Sequence, residues 1–173
     1  NITPNLSAAE PVLCEGELLS LSATGVPGGA NFEWFFNDGN TVVSLGTTAD
    51  PELIIADVSV SNAGNYSVVA SAGGCISPPS NVEVVVVGGL LSQAPVLVAA
   101  DDTPCEGAPL QLTTTAYPGL DVTYQWMFND GNGAVNLGTS ATPSFEINNV
   151  NSSNSGDYLV VAGTTGCPPQ SSN

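Results

Sequence analysis

The side chains able to do chemistry in this chain are few and one-sided. Four cysteines (Cys14, Cys75, Cys105 and Cys167) and sixteen Asp or Glu residues stand in 173 residues without a single Lys, Arg or His. A hydrolytic triad needs a base that titrates near neutrality, and neither imidazole nor amine is present to serve as one. Zinc fits poorly, because there is no Cys-x-x-Cys and no His to complete a tetrahedron. Paired carboxylates are a route to glycoside hydrolysis, yet the acidic residues fall mostly on turns or outward strand positions, with no pair set for one cleft. No Gly-rich phosphate loop occurs. The chain therefore reads as a non-enzyme without an organic cofactor. What remains is thiol pairing. The cysteines come one pair per half at matched positions, which indicates a disulfide framework made in an oxidising compartment. The expected bridges are Cys14–Cys75 and Cys105–Cys167, spanning 75 − 14 = 61 and 167 − 105 = 62 residues. In the chain-entropy treatment each would stabilise by about 4 kcal/mol.

The cysteines mark the ends of an internal repeat. Cys14 to Trp34 is 20 residues and Cys105 to Trp126 is 21; Trp34 to Tyr66 and Trp126 to Tyr158 are both 32; Tyr66 to Cys75 and Tyr158 to Cys167 are both 9. A chain of this length has room for two domains of about 85 residues, read here as 1–88 and 89–173. Apolar–polar alternation dominates, and no helical period lasts beyond a turn. Leu19–Ala23, Phe32–Phe36, Glu52–Ile55 and Tyr66–Ala70 read as short strands, matched in the second copy by Leu110–Thr113, Thr123–Phe128, Ser144–Ile147 and Tyr158–Val161. Turn signals separate them, among them Asn37-Asp38-Gly39-Asn40 and its copy Asn129-Asp130-Gly131-Asn132. Short strands at regular spacing make an all-β sandwich or barrel.

Asn62-Ala63-Gly64-Asn65-Tyr66 and Asn154-Ser155-Gly156-Asp157-Tyr158 resemble the D-x-G-x-Y tyrosine corner that opens strand F of immunoglobulin-like domains. Trp34 and Trp126 stand where that fold keeps its core tryptophan on strand C. The resemblance implies two tandem immunoglobulin-like β-sandwiches, with Tyr66 and Tyr158 at the corners. It departs from the family in one respect: the strand F positions of the usual inter-sheet cysteine hold Val68 and Val160, and the strand B partners are Ala23 and Thr114. The C-E-G…G-C arrangement looks like the immunoglobulin-like repeats of large bacterial surface proteins, especially of Bacteroidota. That resemblance implies extracellular arrays that serve as stalks, adhesins or filaments.

The first repeat continues through Asn81–Val87, a strand G, and Gly88-Gly89 gives a hinge before Pro95–Ala99, strand A of the second. The second repeat reaches Pro168–Asn173 where its strand G should begin. Two explanations stand: a segment of a longer array, or a strand donated by a neighbouring subunit. For donation, the segment Asn1–Leu13 with Ile2 and Leu6 is the candidate donor, and Val160 and Asn173 mark the receiving edge. Head-to-tail pairing of that kind does not close and gives filaments.

A net charge of −16 with no cationic residue excludes nucleic acid, whose phosphates need Lys or Arg, and an anionic membrane surface. The longest apolar stretch, Val84–Leu91, is broken by Gly88-Gly89 and too short to span a bilayer; no signal peptide is visible at Asn1. The expected location is extracellular or on the cell surface. Asp101, Asp102 and Glu106, near the junction of the repeats, are the candidate ligands of a calcium ion that would stiffen an array. The Asn-Asp-Gly-Asn stretches are read as hairpin turns instead. Sequons occur at Asn1, Asn5, Asn65 and Asn151, and Phe36, Tyr117 and Phe128 are the aromatics available for stacking on sugars. The alternative function is a carbohydrate- or protein-binding module of a secreted protein, with a surface glycan or protein as target. Binding modules diversify their loops between copies, whereas here the loops are as alike as the strands.

Overall fold

In the computed structural model, which describes residues 2–172, every alternating segment named above lies in a β-strand. The chain divides into two compact units, Asn1–Gly89 and Leu90–Asn173.

Unit 1 holds nine strands: β1 (Asn5–Ala8), β2 (Val12–Cys14), β3 (Leu19–Thr24), β4 (Asn31–Asn37), β5 (Val42–Thr48), β6 (Glu52–Ile55), β7 (Gly64–Ala72), β8 (Cys75–Ile76) and β9 (Glu83–Gly88). They form two sheets, β1-β3-β6 and β2-β9-β7-β4-β5, with β8 hairpinned onto β7. Alternation decides what faces inward. Leu19, Leu21 and Ala23 of β3 enter the core while Ser20 and Ser22 stay half-exposed, and Val68 and Ala70 of β7 meet Phe32 and Trp34 of β4. β9 runs antiparallel to β7, with Gly64 opposite Val85 and Tyr66 opposite Glu83. On its other side it pairs in parallel with β2, bringing Cys14 opposite Gly88.

Unit 2 repeats the plan with seven strands: β10 (Val98–Ala99), β11 (Leu110–Thr113), β12 (Thr123–Asn129), β13 (Ala134–Ser140), β14 (Ser144–Ile147), β15 (Asp157–Gly163) and β16 (Gln170–Ser171). Its sheets are β10-β11-β14 and β13-β12-β15-β16, around a core of Leu110, Leu112, Tyr124, Trp126, Val160 and Ala162.

The strands β5 and β13 lie outside the sequence expectation. Each pairs with the tryptophan strand through a bulge, where Trp34 faces Gly46 and Phe35 faces Ser44, and Trp126 faces Gly138 while Met127 faces Asn136. Gly46 and Gly138 have φ of 108° and 145°, a region that side chains resist. The repeated Leu-Gly-Thr is thus the sequence mark of the bulge.

The expected bridges Cys14–Cys75 and Cys105–Cys167 do not form. Cys14 and Cys167 are disulfide-bonded, and Cys75 and Cys105 are exposed free thiols. The reason lies in strand length. Cys14 sits beside Gly88 at the end of unit 1 where β7 begins, whereas Cys75 pairs with Ala72 at the end where β7 stops. The 72 − 64 = 8 residues between those ends span about 26 Å at about 3.3 Å per residue, and a bridge needs Cα atoms within about 7 Å. Unit 2 is built alike. Gly107 beside Cys105 donates to the carbonyl of Val150 at 2.8 Å, near the start of β15, while Cys167 follows the end of β15. Matched spacing therefore reports equivalent poles of two units rather than partners within one.

Candidate functional site

Strand F begins in each unit with the same local construction. Short 3-10 turns, Val60–Asn62 and Ser152–Asn154, precede β7 and β15. The hydroxyl of Tyr66 donates to the carbonyl of Asn62 at 2.8 Å, and Tyr158 donates to Asn154 at 2.8 Å, closing the tyrosine corners. Phe36 and Phe128 pack on these rings with centroids 5.0 and 4.9 Å away. Burial pushes both phenols above their usual pKa. Trp34 Nε1 donates to Thr48 Oγ1 at 2.9 Å and Trp126 Nε1 to Ser140 Oγ at 3.1 Å, so each buried indole has its partner. The Asn-Asp-Gly-Asn stretches are turns. Asp38 accepts from the backbone N–H of Asn40 and Thr41, and Asp130 from that of Asn132. These backbone bonds hold both exposed carboxyls below the ordinary carboxylate value.

The units part company at one edge. In unit 1 the outer side of β7 is covered by β9, whose Val85 and Val87 are 2% and 7% exposed. In unit 2 the described residues reach only the lead-in to the matching strand. β16 pairs with Val161 and Ala162, and the Ser172 N–H donates to the carbonyl of Val160 at 2.8 Å, as Ser80 does to Val68 at 2.9 Å. Among the described residues nothing carries the ladder on to Tyr158. The result is a groove of about 580 Å³, floored by Ala99, Leu110, Leu112, Val150 and Tyr158. Its rim is polar and acidic, with Asp102, Glu106, Asn151 and Ser152. Tyr158 is left partly exposed, where Tyr66 is 1% exposed.

The expected assembly residues are placed differently from the expectation. Leu6 is 2% exposed in the core of unit 1 and its N–H donates to Asn81 Oδ1 at 2.8 Å, so β1 is a structural strand of unit 1 rather than a free donor. Ile2 is 52% exposed. Val160 is fully buried with both backbone groups satisfied by Ser172; the open edge begins at Tyr158. Asn173, and Asn1 of the first sequon, lie outside the described residues. The three carboxylates proposed for calcium are not gathered. Asp102 and Glu106 line the groove, Asp101 is exposed and accepts from the Thr103 N–H at 2.9 Å, and no cluster of three acidic or Cys residues suited to a metal occurs among the described residues. No described helix is long and apolar enough to cross a membrane.

Solved structures share this architecture. Murine CEACAM1b is 18% identical with a TM-score of 0.73, over 98% of this chain and 96% of that one. A chain from the complex of a mouse coronavirus receptor-binding domain with its murine receptor is 14% identical at the same TM-score and coverage. The amphioxus IgVJ-C2 molecule is 16% identical with a TM-score of 0.50, over 91% and 95%. No family model matches the chain, and no curated protein matches it in sequence. The fold is immunoglobulin-like.

Proposed function

We propose that this chain is a non-catalytic structural and adhesive building block of an extracellular or cell-surface array, assembling head to tail with copies of itself or with further immunoglobulin-like repeats. The groove on unit 2 carries this reading. The arrangement in unit 1 supports it: there a strand with alternate valines turned inward lies antiparallel to strand F, and Ser172 makes the bond to Val160 that Ser80 makes to Val68. In the array an adjoining immunoglobulin-like unit supplies that strand. Backbone groups along β15 would give affinity and the apolar floor would select alternate side chains, the two elements of strand addition. An edge left open would pair indiscriminately. A head-to-tail contact that does not close on itself propagates as a filament. The charge of −16 keeps such an array soluble.

Negative-stain electron microscopy of the native material tests the array directly. Long beaded fibres are expected, unchanged by EDTA because the acidic residues form no cage; isolated particles would count against it. A peptide of residues 80–88, the β9 strand with its lead-in, tests the groove. It should bind in trans, raise the unfolding temperature reported by Trp126 and shorten the fibres. A peptide without effect on either would remove strand acceptance. Reproducible micromolar binding on a glycan array would favour the binding-module reading.

A further inference from the structure

The cysteines fall into two kinds by position. Cys14 and Cys105 open the same Cys-Glu-Gly turn at the pole where strand F starts: Gly16 donates to Val58 and Gly107 to Val150, both at 2.8 Å, and Glu17 and Ala108 donate back to the cysteine carbonyls at 3.2 and 3.0 Å. Cys75 and Cys167 follow strand F at the other pole. One cysteine of each kind is oxidised, Cys14 and Cys167, and one of each kind is an exposed thiol, Cys105 and Cys75. The two free thiols also sit in different surroundings. Cys75 lines an uncharged pocket of about 260 Å³ with Ile2, Val26, Ala72 and Ile76, of which Ile76 is 72% exposed. Cys105 is exposed between Pro104 and Glu106, two residues that line the unit 2 groove together with Asp102. Two such acidic surroundings would repel one another, whereas those of Cys105 meeting a Cys75 pocket bring no carboxylates face to face and cover apolar surface.

We propose that Cys105 of one copy and Cys75 of the next form an intermolecular disulfide, so that copies of this chain are joined covalently head to tail. The inference rests on the array reading and specifies its partner as a second copy. The oxidant is a small-molecule disulfide such as oxidised glutathione. The Cys75 thiolate attacks it, one glutathione leaves as a thiol, and a mixed disulfide stays on Cys75. The Cys105 thiolate of the neighbour then attacks the Cys75 sulfur and expels the second glutathione. Two protein thiols have lost two electrons and two protons, and one disulfide has become two thiols. Because each chain carries one thiol of each kind, the reaction repeats without terminating.

Non-reducing electrophoresis of the full chain after incubation with oxidised glutathione reads the outcome. A ladder of multimers is expected. Cys75→Ser and Cys105→Ser alone should each remain monomeric, and an equal mixture of the two should stop at dimers. Digestion after Glu places the four cysteines in four separate peptides, 11–15, 53–83, 84–106 and 147–173, so mass spectrometry of the unmutated ladder must show 53–83 linked to 84–106. Dimers of either single variant, or no ladder at all, would overturn the cross-link. Microscopy of the same samples separates the two ideas: fibres without a ladder leave the array standing, and the absence of both removes the array as well.

Discussion

The two units are nearly the same object, described in unit 1 through its last strand and in unit 2 only as far as the residues that lead into it. Each keeps a tryptophan held by a hydroxyl of the bulged neighbour strand, a closed tyrosine corner and a Phe ring on that tyrosine. They differ where β9 and β2 lie in unit 1 and a groove lies in unit 2. Cys14, beside Gly88 of β9, is 4% exposed, while Cys105 is open to solvent. The difference teaches that the centre of this sandwich is set by contacts among β3, β4, β6 and β7 and their copies β11, β12, β14 and β15, and that β9 closes a side rather than organising the interior. Among the described residues, unit 2 has no strand beside Tyr158, which is partly exposed, yet Trp126 stays at 1%.

The strongest way to break the comparison is to open unit 1. Val85 is 2% exposed opposite Gly64, and no cation exists in the chain to pair with a charge placed there. Val85→Asp should cost about 3 kcal/mol or more. Denaturant unfolding read by Trp34, in a Trp126→Phe background, would measure it. A loss below about 1 kcal/mol would mean that β9 packs more loosely than its burial indicates. A smaller effect should be equal in both units. A Cβ at Gly64 would come within 2.6 Å of the Asn37 carbonyl, and one at Gly156 within 2.5 Å of that of Asn129. Gly64→Ala and Gly156→Ala should each cost about 1–3 kcal/mol. A much cheaper Gly156→Ala would show that β15 can retreat across its open edge. Smaller again, and unequal, are the corner hydroxyls: Tyr66→Phe should lose about 1 kcal/mol, and Tyr158→Phe less, since water reaches the carbonyl it leaves behind. Equal losses would show that the groove is closed in solution.

Much of this was legible in the residues. Alternation located β3, β4, β6 and β7 and their copies to within two residues at each end, because each of those strands turns one face inward. β5 and β13 were not, since their side chains are mostly exposed on both faces and their register is carried by a bulge at glycine rather than by a pattern. β1 was read as part of a strand donated to a neighbouring subunit, whereas it belongs to the core of its own unit. Its one buried side chain, Leu6, is too short a signal, and what fastens it is a bond to Asn81 that lies 75 residues away. The cysteine pairing failed for a related reason. Spacing along the chain showed that the copies were equivalent but carried no information about which pole of the sandwich each cysteine occupied.

The smallest expected effect concerns the strand B position where the repeats differ, Ala23 in unit 1 and Thr114 in unit 2. Both backbones are held alike, with Ala23 N–H donating to Pro51 at 2.8 Å and Thr114 N–H to Pro143 at 2.9 Å. The Thr114 hydroxyl, however, is buried without a hydrogen-bond partner, which carries a desolvation cost that an apolar group of the same shape avoids. Thr114→Val should therefore leave unit 2 unchanged or stabilise it by up to about 1 kcal/mol, read from the unfolding midpoint of Trp126 fluorescence with Trp34 replaced by Phe. A clear loss would mean that the hydroxyl does have a partner, and a water molecule is the partner that fits. That result would extend the contrast between the units inward: the unit with the open edge would also be the one whose interior admits water, and a strand bound in its groove should then stabilise the Thr114 protein more than the Val variant.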